Sequence, residues 1–368
     1  MTSDNLRCFL IFSTLRFVPT IALAGLLGSP AIPASPSAPD TVRIRLSVDD
    51  DPIVPRLAES LGYLKQEGIE IVPVKVESFS KEDYLLQAPL IHGQIDASYH
   101  WFQHTIYGAR HKQPITAVML INDAPGITVM VANAAQAKIR SAADFAGKRI
   151  AQGAAYGTKS LLTSYLAHRA GLAPHSYTAV FTESQGRQAA VLTGLQAGSV
   201  DVLTFQEPIT SVLQQSQLVT TLYDLTNAPS TIQILGAPWP AQSVLMSPAY
   251  IAAHPRSVQH LVNAFVRTLR FIKSHSVAQV VAALPADYFA GKDQAAEIAL
   301  IEKSLPTYAR DNYGFSLDSV QLVLNSIEAY DFDGSEEGRW RATSEVAHIN
   351  PKLLYTNRFV NQAMRQMH

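Results

Sequence analysis

Residues 187–208 read RQAAVLTGLQAGSVDVLTFQEP, and this stretch decides the fold. We predict a helix over residues 187–197, which Gly198 ends, followed by a strand over residues 200–205. A helix that leads through a short turn into a β-branched strand is the repeating half of a βαβ unit. The stretch therefore predicts an α/β protein built on parallel sheets.

The same alternation runs through residues 41–225 in two series. Turn residues at 122–126 (NDAPG) separate the series, and residues 227–240, which include three prolines, form a second connection. Beyond residue 246 the pattern is helical only. The predicted strands cover 41–48, 69–76, 95–99, 115–121 and 243–246 in the first series and 127–132, 147–151, 178–182, 200–205 and 218–225 in the second; the predicted helices include 55–66, 81–92, 159–170, 257–275, 277–290, 294–304 and 317–330.

This order predicts two doubly wound lobes joined by a two-crossover hinge, with the C-terminal helices packed on lobe one. Lobe one comprises residues 41–124 and returns with residues 227–368, and lobe two comprises residues 125–226. Open α/β sheets bind ligands at the carboxyl ends of their strands. We therefore expect a ligand cleft between the lobes.

The first 31 residues have the pattern of a secretory signal peptide. Arg7 and Arg16 flank apolar stretches, residues 17–28 are a short apolar run, and Ser29 and Ala31 are small residues suited to cleavage after Ala31. Residues 32–40 then form a linker. We expect a periplasmic protein, whose mature chain lacks the sole cysteine, Cys8, and so has no disulfide, thiolate metal site or cysteine nucleophile.

The composition excludes two classes of protein. At 368 residues with 47% hydrophobic and 16% charged side chains, the chain can bury large cores and is not intrinsically disordered. The 29 basic and 30 acidic residues give a net charge of −1, so no overall basic field attracts nucleic acid.

Four motifs resemble the periplasmic solute-binding proteins of ABC importers for nitrate, sulfonates, taurine and thiamine-pyrimidine precursors (the SsuA/THI5-like and NMT1-like group). They are residues 62–69 (GYLKQEGI), 141–150 (SAADFAGKRI), 192–208 (LTGLQAGSVDVLTFQEP) and 247–258 (SPAYIAAHPRSV). The resemblance implies the type II periplasmic binding protein fold and a monomeric receptor that traps a small anionic or zwitterionic organic solute by lobe closure. It implies a membrane permease and an ATPase as partners, with no cofactor and no catalysed reaction.

Two alternatives stay open. Residues 93–99 (GQIDASY) and the following Phe102, Gln103, His104 and Tyr107 are similar to a segment that lines the amino-acid pocket of methionine-binding proteins, although His100 and Trp101 are added here. The second alternative is an enzyme of the same fold, of the pyrimidine-synthase or menaquinone-pathway type, because fold does not settle function.

Two candidate sites carry charge-binding groups. Tyr156, Gly157 and Thr158 lie between a strand and a helix, where free backbone N–H groups suit an anion, although an ordinary capped helix start has the same pattern. Asp49 and Asp50 follow the first strand and could bind an ammonium group or simply cap the next helix.

The remaining candidates lie near the ends of other predicted strands. His100 and His104 share a helix face and could hydrogen-bond a ligand, whereas a metal site would need further ligands. The others are two aromatic residues that could wall a ligand, two residues that end a lobe-two strand, and a tryptophan in the return connection: Tyr99, Trp101, Gln206, Glu207 and Trp239.

Overall fold

The computed structural model describes residues 39–46, 52–75, 87–182, 187–330 and 349–367, and all of them belong to one compact unit that begins at Pro39. The predicted signal peptide, most of the linker, and the candidates Asp49 and Asp50 lie outside the described residues. Within the described ranges, no helix combines the length and apolar character needed to cross a bilayer.

Two five-stranded sheets form the two lobes. Sheet one has the order β2-β1-β3-β10-β4 and sheet two the order β7-β6-β8-β5-β9, so the two lobes share one topology. The strands are β1 (Asp40–Arg45), β2 (Ile69–Pro73), β3 (Ala97–Trp101), β4 (Thr116–Leu120), β5 (Ile127–Ala132), β6 (Arg149–Gln152), β7 (Thr178–Phe181), β8 (Val202–Gln206), β9 (Val219–Leu225) and β10 (Gln242–Met246).

Each sheet contains one antiparallel strand, which the expectation of parallel sheets did not include. β10 runs antiparallel to β3 and β4, and β5 runs antiparallel to β8 and β9. These are the two strands that enter a lobe from the other lobe, through residues 121–126 and 226–241. A strand that enters from the cleft runs away from it, opposite to the strands whose carboxyl ends face the cleft.

Helices cover the sheets, and most begin and end close to the predicted residues. The helix predicted over 277–290 instead ends at Ala283, and residues 81–86 of the helix predicted over 81–92 lie outside the described residues. The expected helix over 55–66 is two helices, because Gly62 adopts a left-handed conformation with φ +70° and ends the first. The helices are α1 (Ile53–Ser60), α2 (Tyr63–Gln66), α3 (Ala88–Ile91), α4 (Gln103–Arg110), α5 (Thr158–Arg169), α6 (Arg187–Gln196), α7 (Ile209–Gln215), α8 (Ala228–Leu235), α9 (Pro248–Ala253), α10 (Pro255–Ser274), α11 (Val277–Ala283), α12 (Gln294–Ser304), α13 (Leu317–Ala329) and α14 (Arg358–Gln366).

The C-terminal helices contact both lobes. α10 packs on α1, α2 and the first two strands, and α14 packs on α10, as expected for helices that cover lobe one. α13 departs from that expectation because it packs on α5 of lobe two. The C-terminal region therefore connects the lobes as well as covering one of them.

An arginine–aspartate clamp occurs at the same place in each lobe. Arg43 of β1 binds Asp96 through its backbone N–H at 2.7 Å and its Nε at 3.0 Å, and Arg149 of β6 binds Asp201 in the same way at 2.8 and 3.0 Å. The guanidinium groups also donate to the carbonyl oxygens of Gly93 and Gly198. Each clamp fixes the turn that leads into a central strand, β3 or β8.

The inner strands of sheet two, β5, β6 and β8, are buried on both faces, which explains the apolar runs of β5 and β8. Along β5, Val129 and Val131 join the large core shared with lobe one, while Met130 joins a smaller core together with Leu203 and Phe205. A capping box at Ser141 and Asp144 starts a short 3-10 helix that precedes β6.

Candidate functional site

A cleft of about 890 Å³ lies between the lobes at the carboxyl ends of the strands. Its walls come from the end of β3, the connection over residues 121–126, the ends of β8 and β9, and α12 with the turn that follows it. The aromatic, polar and charged residues that line it include Trp101, Asn122, Gln206, Glu207, Thr210, Asp224, Tyr288, Lys292, Glu297, Lys303 and Thr307.

Three of the sequence-predicted residues line this cleft: Trp101, Gln206 and Glu207. Tyr99, His100, His104, Tyr156, Thr158 and Trp239 are buried and do not line it, and neither does Gly157. Asp49 and Asp50 lie outside the described residues, but Leu46 and Pro52, which flank them in the sequence, both line the cleft. The assignment of any of these residues to a bound solute stays a prediction.

The predicted anion site at the start of α5 is packed against lobe one. Thr158 Oγ1 donates to Gln103 Oε1 at 3.1 Å, across the boundary between the lobes. Tyr156 has a left-handed backbone, with φ +62°, and both of its backbone polar groups are engaged: its N–H donates to Tyr330 OH at 3.2 Å and its carbonyl accepts from Tyr107 OH at 2.8 Å. In this arrangement the segment joins the lobes rather than facing open space.

The two histidines form a buried pair beside this contact, but they do not share a helix face as predicted, because His100 lies in β3 and His104 in α4. Their ring centroids lie 4.3 Å apart, edge to face, and His100 Nδ1 accepts a hydrogen bond from the Trp101 backbone N–H at 2.8 Å. Burial, with His104 and Arg45 nearby, lowers the pKa of His100 well below its ordinary value, so the ring is neutral at physiological pH. Among the described residues no group of three or more histidine, cysteine, aspartate or glutamate side chains is placed to hold a metal ion.

Trp239 has a role in the hinge that the sequence did not reveal. Its backbone N–H donates to the Asp123 carbonyl at 3.0 Å, and the Ala241 N–H donates to the Asn122 carbonyl at 2.9 Å. The two connections between the lobes are thereby hydrogen-bonded to each other. The indole of Trp239 is fully buried and does not line the cleft.

An ion pair joins the C-terminal region to lobe two at the cleft. Lys303 of α12 lies 3.3 Å from Glu207 Oε1 and also donates to Ser211 Oγ. Glu207 in turn accepts from the Ser211 backbone N–H at 3.2 Å, so it caps the start of α7 as well. The position of Glu207 at a strand end was predictable, whereas Lys303 is distant in sequence and carried no local signal.

Sequence reasoning missed Asn122, Thr210 and Asp224, which line the cleft. Asn122 belongs to the predicted turn NDAPG, and a connection between two lobes necessarily borders the cleft between them. That topological argument was a usable signal for Asn122. Thr210 follows the predicted strand over 200–205, and Asp224 is the last residue but one of the predicted strand over 218–225. At such positions the direction of a side chain depends on the tertiary structure.

Comparison with known proteins gives a family match and a shared fold. A family model described as NMT1/THI5 like matches residues 56–278. A protein from Bordetella bronchiseptica RB50 is 23% identical with a TM-score of 0.65, and the match covers 89% of this chain and 98% of that one. The periplasmic aliphatic sulphonate binding protein SsuA from Escherichia coli is 17% identical with a TM-score of 0.59, covering 78% and 85%.

The same fold also occurs in an enzyme. The desulfurization enzyme DSZB is 16% identical with a TM-score of 0.56, and the match covers 89% of this chain and 100% of that one. A comparison with curated proteins gives no match. Likeness at these identities establishes the two-lobed fold, and the chemistry has to be argued from the cleft.

Proposed function

Because the chain belongs to the NMT1/THI5-like family, we propose that it is an extracytoplasmic receptor that binds a small organic solute between its lobes. In this proposal the receptor acts as a periplasmic monomer and delivers the solute to the permease and ATPase of an ABC importer. The solute is of the anionic or zwitterionic kind suggested by the sequence, and a sulfonate such as taurine is a member of that class. No reaction is catalysed.

The observation that carries the proposal is the cleft itself. Its volume of about 890 Å³ lies within the usual range for small-molecule sites, roughly 300–1,000 Å³. It is bordered by both lobes, by the two connections between them, and by α12. A solute held there contacts both lobes at once. It therefore binds the closed arrangement more tightly than the open one and favours closure.

The contacts across the lobe boundary support closure as the working motion. The Thr158–Gln103 hydrogen bond joins lobe two to lobe one. The Lys303–Glu207 ion pair joins a C-terminal helix, α12, to lobe two. Such polar contacts exchange readily with water when the lobes separate. Opening exchanges these two polar contacts for water and also separates the buried rings of Tyr107 and Tyr156, whose centroids lie 6.3 Å apart, so a solute that contacts both lobes adds to contacts that already favour closure.

A thermal-shift screen of the purified protein tests the proposal. The panel contains taurine, other sulfonates, nitrate, pyrimidines, methionine and zinc chloride, each at high concentration. A ligand at 100 times its Kd stabilises the folded state by about 2.7 kcal/mol. Stabilisation by an organic solute that is recovered unchanged by mass spectrometry is the expected result. Conversion of the solute would establish the enzyme alternative, and stabilisation by methionine alone would establish the amino-acid alternative.

A further inference from the structure

One residue of lobe two is held through its backbone by two tyrosine hydroxyls from other parts of the chain. The hydroxyl of Tyr107, in α4 of lobe one, donates to the Tyr156 carbonyl at 2.8 Å. The Tyr156 N–H donates to the hydroxyl of Tyr330, which follows α13, at 3.2 Å. All three residues are at most 3% exposed, so water does not compete for these hydrogen bonds in this arrangement.

The three tyrosines also touch through their rings. The ring centroids of Tyr107 and Tyr156 lie 6.3 Å apart with an angle of 83° between the planes, and those of Tyr156 and Tyr330 lie 5.2 Å apart. Burial raises the pKa of Tyr107 and of Tyr330 above the ordinary tyrosine value, so both hydroxyls keep their protons at physiological pH. The Tyr107 contact is therefore a hydrogen bond between neutral groups.

α4 presents two side chains to the same short segment of lobe two. Gln103 and Tyr107 are four residues apart, so they lie on one face of this helix. Gln103 Oε1 accepts from Thr158 Oγ1 at 3.1 Å, two residues after Tyr156. None of these four residues, and not Tyr330 either, lines the cleft. The lobes therefore touch here at a place outside the cleft.

The backbone of Tyr156 has a conformation that the contacts with α4 and Tyr330 hold in place. Its φ of +62° lies in the left-handed region, which residues with a β-carbon seldom adopt. Such a conformation persists where the surrounding structure fixes it, and it is frequent in segments that switch. Hydrogen bonds to both backbone polar groups of Tyr156 fix it here. The conformation of this loop is thus linked to its contact with lobe one.

We infer that Gln103, Tyr107, Tyr156, Thr158 and Tyr330 form a latch that holds the lobes closed before any solute binds. The inference rests on the proposed receptor function and adds to it a closing device outside the cleft. The bonds from Tyr107 and Gln103 break together when the lobes separate, because both run from α4 to the segment that begins α5. Tyr330 follows a helix that packs on lobe two, so its bond holds Tyr156 from the lobe-two side.

The latch sets the fraction of the protein that is closed in the absence of solute. A solute that binds the closed arrangement has an apparent affinity reduced in proportion to that fraction. Contacts that favour closure therefore raise the affinity without touching the solute. Side chains remote from the cleft become determinants of how tightly it binds.

X-ray scattering of the solute-free protein tests the latch. Tyr107→Phe keeps the ring and removes the hydroxyl that bonds across the lobe boundary. Tyr313→Phe is the matched control, because Tyr313 is 1% exposed and its hydroxyl donates to the Arg310 carbonyl at 3.2 Å within the C-terminal region. We expect Tyr107→Phe to enlarge the radius of gyration and Tyr313→Phe to keep the wild-type value. An unchanged radius in Tyr107→Phe, or the same increase in both variants, would overturn the latch.

A second pair of variants on α5 tests the other bond across the boundary. Thr158→Val removes the hydroxyl that donates to Gln103. Thr163→Val removes an equally buried hydroxyl that contacts the Lys159 carbonyl and Thr204 Oγ1, at 2.8 and 3.0 Å, within lobe two. We expect a larger radius of gyration for Thr158→Val only, and a further increase when it is combined with Tyr107→Phe. Equal radii for the two threonine variants would contradict the latch, even if both melt at a lower temperature.

Hydrogen exchange measures the latch itself. A peptide that contains the Tyr156 amide should exchange about fivefold faster in Tyr107→Phe than in wild type, as expected for the loss of one hydrogen bond, and at the wild-type rate in Tyr313→Phe. Faster exchange together with an unchanged radius of gyration would mean a local contact and no latch. All of these measurements use solute-free protein, so their failure leaves the receptor proposal standing, and the thermal-shift screen tests that proposal separately.

Discussion

Asp123 lies in the connection between the lobes and makes the stability of the fold depend on pH. Its backbone N–H donates to the Thr307 carbonyl at 3.1 Å, and its carbonyl accepts from Trp239. Burial raises the pKa of its side chain from 3.8 to about 7. Between these two values the folded protein retains a proton that the unfolded chain has released, so the free energy of unfolding falls as the pH rises through this window and is constant above it.

Asp123→Asn replaces the carboxyl with a neutral group of the same shape. The pKa difference of about 3 units, at about 1.4 kcal/mol per unit, sets an upper bound of about 4 kcal/mol on the gain in stability at pH 8. With an unfolding entropy of about 2.1 cal/mol/K per residue over roughly 330 residues, that bound corresponds to about 6 °C in Tm. Near pH 4 the two proteins are expected to have the same stability.

Calorimetric melting of both proteins from pH 4 to pH 8 measures the effect. Wild type should lose stability relative to the variant as the pH rises from about 4 to about 7, and the two curves should then run parallel. A variant whose Tm differs from wild type by the same amount at every pH would refute the reasoning, because the difference would then come from packing rather than from a proton.

Three further outcomes are expected. Arg149→Met removes the partner that lowers the pKa of Asp201, and should lower the urea midpoint of unfolding at pH 7; that loss should shrink as the pH falls below 3.8 and vanish only below the lowered pKa of Asp201, where the carboxylate is protonated in both proteins. Trp101→Ala should weaken solute binding in a fluorescence or calorimetric titration with little change in Tm, because Trp101 lies on the cleft wall at half burial; unchanged affinity would remove it from the site. Lys303→Met should enlarge the radius of gyration of the solute-free protein in X-ray scattering, because it breaks the ion pair with Glu207, and an unchanged radius would mean that other contacts hold the lobes closed.

Much of the fold was predictable because its strands are short apolar or alternating runs bounded by turn residues, and its helices repeat apolar residues every three to four positions. β5 and α12 occupy the predicted residues, 127–132 and 294–304. The direction of β5 and β10 was not predictable, since hydrophobic periodicity is the same for parallel and antiparallel strands. α8 was missed in a stretch described only as proline-rich, although Asn227 caps it and Pro229 lies in its first turn, where proline is well tolerated.

Only those site residues were predictable that follow from the rule that ligands bind at the carboxyl ends of strands. The rule that ligands lie at strand ends selected Trp101, Gln206 and Glu207, which line the cleft. The same rule selected Tyr156 and Thr158, whose helix start is instead packed against α4. The starts of α5 and α7 both follow a strand of sheet two, and their sequences do not differ in a way that tells which one borders the cleft. That depends on how the two lobes pack together, which a single sequence does not reveal.

The order of the strands has a consequence for synthesis on the ribosome. All of sheet two comes from one continuous segment, residues 127–225, whereas sheet one needs β10, which is made after lobe two. β4 pairs within sheet one through β10 alone among the described strands, so it has no neighbouring strand in that sheet until residue 246 has emerged. The growing chain can therefore complete sheet two while sheet one still lacks its fifth strand, β10, and the lobe that begins first finishes last.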